Sequence, residues 1–338
     1  MKIDYKIVTL QLEHPFGISR ETITTQRTFI VSLGQDGFTG YGEATENRYY
    51  HTTVEGMEER LRSLKERISD YKLESAEEFW AYLSGDLKDL PFLHCAIDMA
   101  ATDLEGKMKG QPVYAMWGLD VEAELPISNY TIALDSIDKM KEKLLEKPWP
   151  LYKVKLGTDH DIDIVRRLRE VTDAPFRVDA NAAWTAEETI RNAKELKELG
   201  VQFIEQPMPA DAWEEMEEVY RQSALPLIAD EACRTYDDIG KCVGRFHGIN
   251  VKLVKAGGMT PARKMILEAK RLGLQTMVGC MTESSVGISG VCQFLPLLDY
   301  VDADGALLLK GDIAKGVEVL PTGYQFPKSN GTGVELIV

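Results

Sequence analysis

Leu151-Tyr-Lys-Val-Lys155, Phe176-Arg-Val-Asp179, Phe203-Ile-Glu205, Leu227-Ile-Ala-Asp230 and Ile249-Asn-Val-Lys-Leu-Val-Lys255 each close a short apolar run on a charged residue. The closing residues follow one another at intervals of 24–26 positions, and Met277-Val-Gly-Cys-Met-Thr-Glu283 and Tyr300-Val-Asp302-Ala-Asp304 extend the series. A strand, a loop and a helix together need that much chain, so the intervals read as repeated βα units. The spacers agree. Thr185-Ala-Glu-Glu188 is a capping box for a helix ending at Gly200, and Thr260-Pro261 starts one ending at Gly273. With Ile127-Ser-Asn-Tyr-Thr-Ile132 as the first, eight strands are expected, near 127–132, 151–156, 176–180, 202–206, 226–231, 249–255, 275–281 and 300–304. Eight strands alternating with helices define an α/β barrel of the triosephosphate-isomerase type, whose chemistry gathers at the C-terminal ends of the strands. The charged residues quoted above all fall there.

The chain has 338 residues, more than the barrel uses, so a second domain is expected. Residues 3–14, 27–33 and 37–42 alternate like half-buried antiparallel strands, and 53–69, 75–84 and 90–109 read as helices. This α+β segment, residues 1–120, is expected to cap a barrel of residues 121–315, with 316–338 returning to the cap. Between the first two strands, Gly17 to Gln26 reads as an exposed polar loop, a place where specificity is often carried. A net charge of −15 and a pI near 4.9 argue against nucleic acid, which needs a basic face. No apolar stretch approaches the roughly 20 residues of a membrane span, and Met1-Lys-Ile-Asp-Tyr-Lys6 lacks the pattern of a signal peptide. Five scattered cysteines point to reduced thiols and a cytoplasmic protein. A homo-oligomer is compatible with all of this.

Asp179, Glu205 and Asp230 end three successive strands, so their carboxylates converge. Unpaired, they would repel one another and desolvate at high cost. A divalent cation resolves this, and Mg²⁺ suits oxygen ligands while keeping positions open for substrate. Lys155 and Lys255 end the second and sixth strands, which face each other across an eight-strand mouth. That arrangement can take a proton from one face of a carbon and return one to the other. Lys153, two residues before Lys155, points the same way and would depress its neighbour's pKa, favouring a base near neutral pH. Asp302 and Asp304 end the eighth strand, opposite the metal ligands, so a substrate with a carboxylate at one end and an ammonium at the other would span the mouth. Met281 and Glu283 at the seventh strand, and Arg20 and Glu21 in the polar loop, are further substrate-binding candidates. Arg20 would select an acidic side chain and Glu21 a cationic one.

Together, Lys153-Val-Lys155, Asp179-Ala-Asn181, Glu205-Gln-Pro207, Ala229-Asp-Glu231 and Asn250-Val-Lys-Leu-Val-Lys255 resemble the enolase superfamily, in its muconate-lactonising-enzyme subgroup. The cap motif Gly40-Tyr-Gly-Glu43 is similar to that family too, and Asp302-Ala-Asp304 looks like the dipeptide epimerases within it. The resemblance implies a (β/α)7β barrel with an N-terminal α+β capping domain. It implies Mg²⁺ on Asp179, Glu205 and Asp230, acid/base catalysis by Lys155 and Lys255 with Lys153 in support, and a dipeptide's α-ammonium on Asp302 and Asp304. The implied reaction is epimerisation at the α-carbon of the C-terminal residue, with L-Ala-D/L-Glu, a cell-wall peptide fragment, as first choice. Syn elimination to o-succinylbenzoate and muconate cycloisomerisation use the same lysines and metal, but neither substrate has an ammonium for Asp302 and Asp304. A non-catalytic metal- and ligand-binding barrel would be expected to lack one of the lysines. One departure is Asn181-Ala-Ala-Trp184, where relatives often carry Asn-Gln-Gly-Trp.

Overall fold

The structure, a computed structural model, describes residues 1–337. An antiparallel sheet opens the chain: β1 (Lys2–Ile18), β2 (Glu21–Gln35) and β3 (Phe38–Thr45). Helices α1 (Val54–Ser69), α2 (Ala76–Leu87), α3 (Pro91–Lys109) and the short α4 (Val113–Met116) follow. The sheet meets α3 at Gly40 and Gly42. A Cβ at either would lie 2.1 Å from a carbonyl of that helix, at Ala100 and Ala96 respectively, so only glycine permits the approach.

Eight parallel strands then pair in sequence order: β4 (Tyr130–Ile132), β5 (Tyr152–Lys155), β6 (Phe176–Asp179), β7 (Val201–Glu205), β8 (Leu227–Ala229), β9 (Gly248–Lys252), β10 (Gln275–Gly279) and β11 (Tyr300–Asp302). Between them run α5 (Ile137–Glu146), α6 (Asp161–Leu168), α7 (Ala186–Glu198), α8 (Trp213–Gln222), α9 (Ile239–Cys242), α10 (Leu253–Ala256) with α11 (Met259–Arg271), and α12 (Ser285–Cys292). Each of the seven gaps holds a helical crossover, so the eight strands expected from the spacing form the (β/α)7β barrel that the resemblance implies. The Thr185 capping box forms at the start of α7, its side chain and that of Glu188 each accepting the other's backbone N–H. Phe203, Ile228 and Met277, packed with Tyr300, form an apolar layer inside the barrel.

The barrel closes by side chains. β11 and β4 share no ladder, only a bridge between Ser128 and Val301. Across this seam Ala303 N donates to Ser128 Oγ (2.9 Å), Thr131 N to Asp304 Oδ2 (2.5 Å) and Asn129 Nδ2 to Asp302 Oδ1 (2.7 Å). The last residues form β12 (Ala314–Lys315), β13 (Glu318–Leu320), β14 (Gly323–Gln325) and β15 (Glu335–Leu336). Val113 N donates to Gly331 O (2.9 Å), and Thr332 N to the buried Asp103 Oδ1 on α3 (2.8 Å).

Two elements differ from the sequence reading. Gly17 to Gln26 is not a loop. β1 runs on to Ile18 and pairs with Glu21 around a two-residue turn, because the β-branched run Thr22-Ile-Thr-Thr25 carries the ladder. This hairpin docks on the barrel where Leu134 N donates to Gly17 O (2.8 Å). The sixth barrel strand, β9, stops at Lys252, and the next four residues wind into α10 before the left-handed Gly257.

Candidate active site

Side chains alternate across a strand, so each barrel strand turns every second residue inward. β5 thus presents Lys153 and Lys155, β6 Arg177 and Asp179, β7 Phe203 and Glu205, and β9 Asn250 and Lys252. At the C-terminal end of the barrel lies a cavity of about 370 Å³. Lys155, Asp230, Lys252, Asp302 and Asp304 line it from the barrel, and the β1–β2 hairpin lines it from the cap.

Asp179, Glu205 and Asp230 are fully buried and each offers an oxygen within 4.8 Å of the others. Lysines hold their charge. Lys155 Nζ lies 2.7 Å from Asp179, Lys252 Nζ 2.8 Å from Asp230 Oδ2 and Lys153 Nζ 2.8 Å from Glu205 Oε2. Burial pushes the Glu205 carboxyl up to about 7, more than Lys153 can offset. At Asp230 burial acts the same way, but Lys252 and Lys255 outweigh it and hold the carboxyl far below the usual range. Three hard oxygen donors converging in a buried site fit a small divalent cation. Beside them Asn181 Oδ1 and Glu231 Oε2 are buried with no hydrogen-bond donor, an excess of acceptors that a cation with its waters would relieve.

The lysines divide differently from the sequence reading. Lys255 does not reach the cavity. In the turn of α10 its Nζ points back into the protein and donates to Asp230 Oδ1, Asp230 O, Cys233 O and Asn250 O, at 2.5, 2.5, 3.1 and 3.2 Å. Lys252, at the true end of β9, takes the place facing Lys155. The signal was in the sequence: with Ile249 and Val251 facing outward, Asn250 and Lys252 must face inward. Lys153 is no free cation beside Lys155 either. Burial works against its charge, but Asp302, Glu205 and Asp179 outweigh that and hold its pKa well above the ordinary value.

Asp304 and Asp302 lie at the opposite pole. Burial, then the neighbouring Asp302, push the Asp304 carboxyl up to about 8. Asp302 goes the other way, because Lys153 (2.8 Å) and Asn129 overcome the effect of burial. Met281 lines the cavity, but Glu283 does not. Its Oε1 accepts Met281 N (3.0 Å), and burial beside Glu43 raises it to about 8. Arg20 and Glu21 both line the cavity from the hairpin tip. The Arg20 guanidinium is committed: Nη2 donates to Glu231 Oε1 at 2.8 Å, and the guanidinium carbon lies 4.2 Å from the Tyr49 ring centroid. Glu21 sits 3.8 Å from Arg48 at the rim.

Comparison with known proteins fits this geometry. The family model for the mandelate racemase/muconate lactonizing enzyme N-terminal domain matches residues 2–118, and the enolase C-terminal domain-like model matches 135–337. The chain therefore belongs to the mandelate racemase/muconate lactonizing enzyme family of the enolase superfamily. It is 52% identical over 337 residues to an L-Ala-D/L-amino acid epimerase of Flavobacterium johnsoniae, covering 100% of both chains. Among solved structures it resembles the substrate-liganded L-Ala-D/L-Glu epimerase from Bacillus subtilis, with a TM-score of 0.92, 26% identity and 99% of each chain covered. The Methylococcus capsulatus dipeptide epimerase complexed with Mg and L-Arg-D-Lys aligns with a TM-score of 0.89, 26% identity and 99% of each chain covered.

Proposed function

We propose that this chain is a dipeptide epimerase that moves a proton at the α-carbon of the C-terminal residue. The observation that carries the reading is the cavity itself, with Lys155 and Lys252 on facing strands, a carboxylate triad at one pole and Asp304 beside Asp302 at the other. The similarity to L-Ala-D/L-amino acid epimerases supports it. Asp179, Glu205 and Asp230 would hold Mg²⁺, which when bound supplies positive charge against the negative charge that develops on the substrate carboxylate. Lys155 and Lys252 would then no longer be committed to Asp179 and Asp230. One, as the free amine, accepts the α-proton from its own face. The other, as the ammonium, donates a proton to the opposite face. Exchanging the two roles runs the reaction back. Asp304, with Asp302, receives the substrate's α-ammonium and fixes which carbon lies between the lysines.

The substrate class follows from the hairpin. Because Arg20 is already paired with Glu231, the hairpin does not dedicate a cation to an acidic second residue; the apolar Phe16, Ile18 and Ile23 share that wall, and Arg48 stands at the rim beside Glu21. The reading is an epimerase for L-Ala-D/L-Xaa dipeptides with broad tolerance at Xaa, L-Ala-D/L-Glu among them. Residues 1–120 with 316–338 act as the cap over barrel residues 121–315, a division supported by the Gly331 and Thr332 contacts. Five free cysteines support a cytoplasmic site of action, where peptidoglycan breakdown supplies such dipeptides. The test incubates the purified protein with Mg²⁺ and a panel of L-Ala-L-Xaa dipeptides and follows the products by chiral chromatography. L-Ala-D-Xaa should accumulate for several neutral side chains, and products confined to cationic Xaa would overturn the assignment.

A further inference from the structure

We propose that Asn129 and Arg177, buried below the cavity, are positioning residues that orient Asp302 and so set the ammonium-binding pole; this rests on the dipeptide-epimerase reading. Asp302 receives one donor on each oxygen, Asn129 Nδ2 on Oδ1 at 2.7 Å and Lys153 Nζ on Oδ2 at 2.8 Å. An ammonium can only donate, so the Lys153 contact has one polarity. An amide can turn either face, and a reversed Asn129 would aim its carbonyl oxygen at a carboxylate. Arg177 removes that freedom. Its Nη1 lies 3.3 Å from Asn129 Oδ1, and a guanidinium has no acceptor, so the amide oxygen must face Arg177 and its NH₂ must face Asp302.

Arg177 is itself fixed. Nη1 also donates to Val301 O at 2.8 Å, Nε donates to Gln202 Oε1 at 3.2 Å, and the guanidinium carbon lies 5.2 and 5.0 Å from the Phe203 and Tyr300 ring centroids. A chain of donors thus runs from β6 through the β4–β11 seam to Asp302. From there Lys153 continues it to Glu205 at 2.8 Å. Because Asp302 is locked at both oxygens, its plane relative to Asp304 is set before a ligand arrives. Asp304 spends Oδ2 on Thr131 N, and its Oδ1 lies 3.9 Å from Cys280 Sγ, a weak donor that leaves it able to take an ammonium hydrogen. Arg177 and Asn129 touch no substrate atom; they act through Asp302.

The test uses Asn129→Leu, Arg177→Met and Arg177→Lys in the full chain, with melting curves to establish folding. Asn129→Leu and Arg177→Met should raise KM for L-Ala-L-Xaa about tenfold while kcat stays within about threefold, the loss expected when one charge-assisted hydrogen bond stops orienting a ligand group. Arg177→Lys still donates to Asn129 and should recover most of the KM. Inhibition by the N-acetylated dipeptide, which has no ammonium, should be unchanged. KM unaltered in folded variants, Arg177→Lys as impaired as Arg177→Met, or equal loss for the N-acetylated ligand would each overturn the proposal. Should Arg177→Met not fold, Asn129→Leu alone decides by the same criteria. The two readings separate at the wild type. If it epimerises no dipeptide, the functional reading falls and this one with it. If it does and the variants keep their KM, this one alone falls.

Discussion

Replacing Lys252 and replacing Lys255 should have opposite kinds of effect, although the two lysines lie three residues apart and both pair with Asp230. Lys252 Nζ is 2.8 Å from Asp230 Oδ2 and lines the cavity. In Lys252→Ala one face of the α-carbon loses its proton donor and acceptor, an effect worth roughly 10²–10⁴-fold in net epimerisation. Lys155 remains, so hydrogen exchange with solvent should continue for one epimer and stop for the other; Lys155→Ala should reverse the preference. Asp230 keeps Lys255, so the fold loses little. Lys255→Met removes the ammonium from four buried acceptors, three of them backbone carbonyls, of which Asp230 O keeps Cys233 N as a donor. Breaking such a buried pair costs about 3–5 kcal/mol, on the order of 10 °C in Tm. The assay pairs ¹H NMR of each epimer's α-proton in D₂O with thermal melts. Epimerisation within tenfold of wild type in Lys252→Ala, or abolished exchange at unchanged Tm in Lys255→Met, would refute this assignment of the lysines.

Three further outcomes are expected. Glu205→Gln should weaken Mg²⁺ binding at least tenfold by calorimetry, because a neutral amide removes one of three converging charges; unaltered affinity would exclude the triad as the metal site. The metal-free protein should lose stability as pH rises from 6.5 to 8.5. Glu205 at about 7 and Asp304 and Glu283 at about 8 hold protons in the folded state that the unfolded chain has already released above pH ~4. The raised folded values make the slope negative in that window, so a Tm that climbs over it contradicts the assignment. Finally, Glu231→Gln should weaken the hold on Arg20 and shift kcat/KM toward L-Ala-L-Glu over L-Ala-L-Leu by several-fold, and an unchanged ratio would show that Arg20 does not face the second side chain.

The barrel was legible because its spacing is regular and its strand ends are charged. Asp179, Glu205 and Asp230 sit at their strand ends as the series places them, and the crossovers follow in order. Lys255 was misplaced because charge at a run's end was weighed above alternation; Val254 continues the apolar run, yet Leu253 to Ala256 is helical. The tip of the hairpin was missed for a related reason. Thr22 to Gln26 is polar enough to suggest a loop, and polarity hid the β-branched ladder. Glu283 illustrates the limit: nothing local says that its carboxyl turns to Met281 N rather than to the cavity. The Arg177–Asn129–Asp302 chain lies beyond any motif, since its members are 48 and 173 residues apart and meet only when the barrel closes.

The central claim is a proton moved at one carbon, and ¹H NMR of wild-type protein in D₂O with Mg²⁺ and L-Ala-L-Glu or L-Ala-L-Leu observes it directly. The account predicts that the α-proton signal of the C-terminal residue decays while that of the alanine persists, and that L-Ala-D-Xaa grows in carrying deuterium at that carbon. An unchanged C-terminal α-proton with every L-Ala dipeptide, or exchange at the alanine instead, would contradict it.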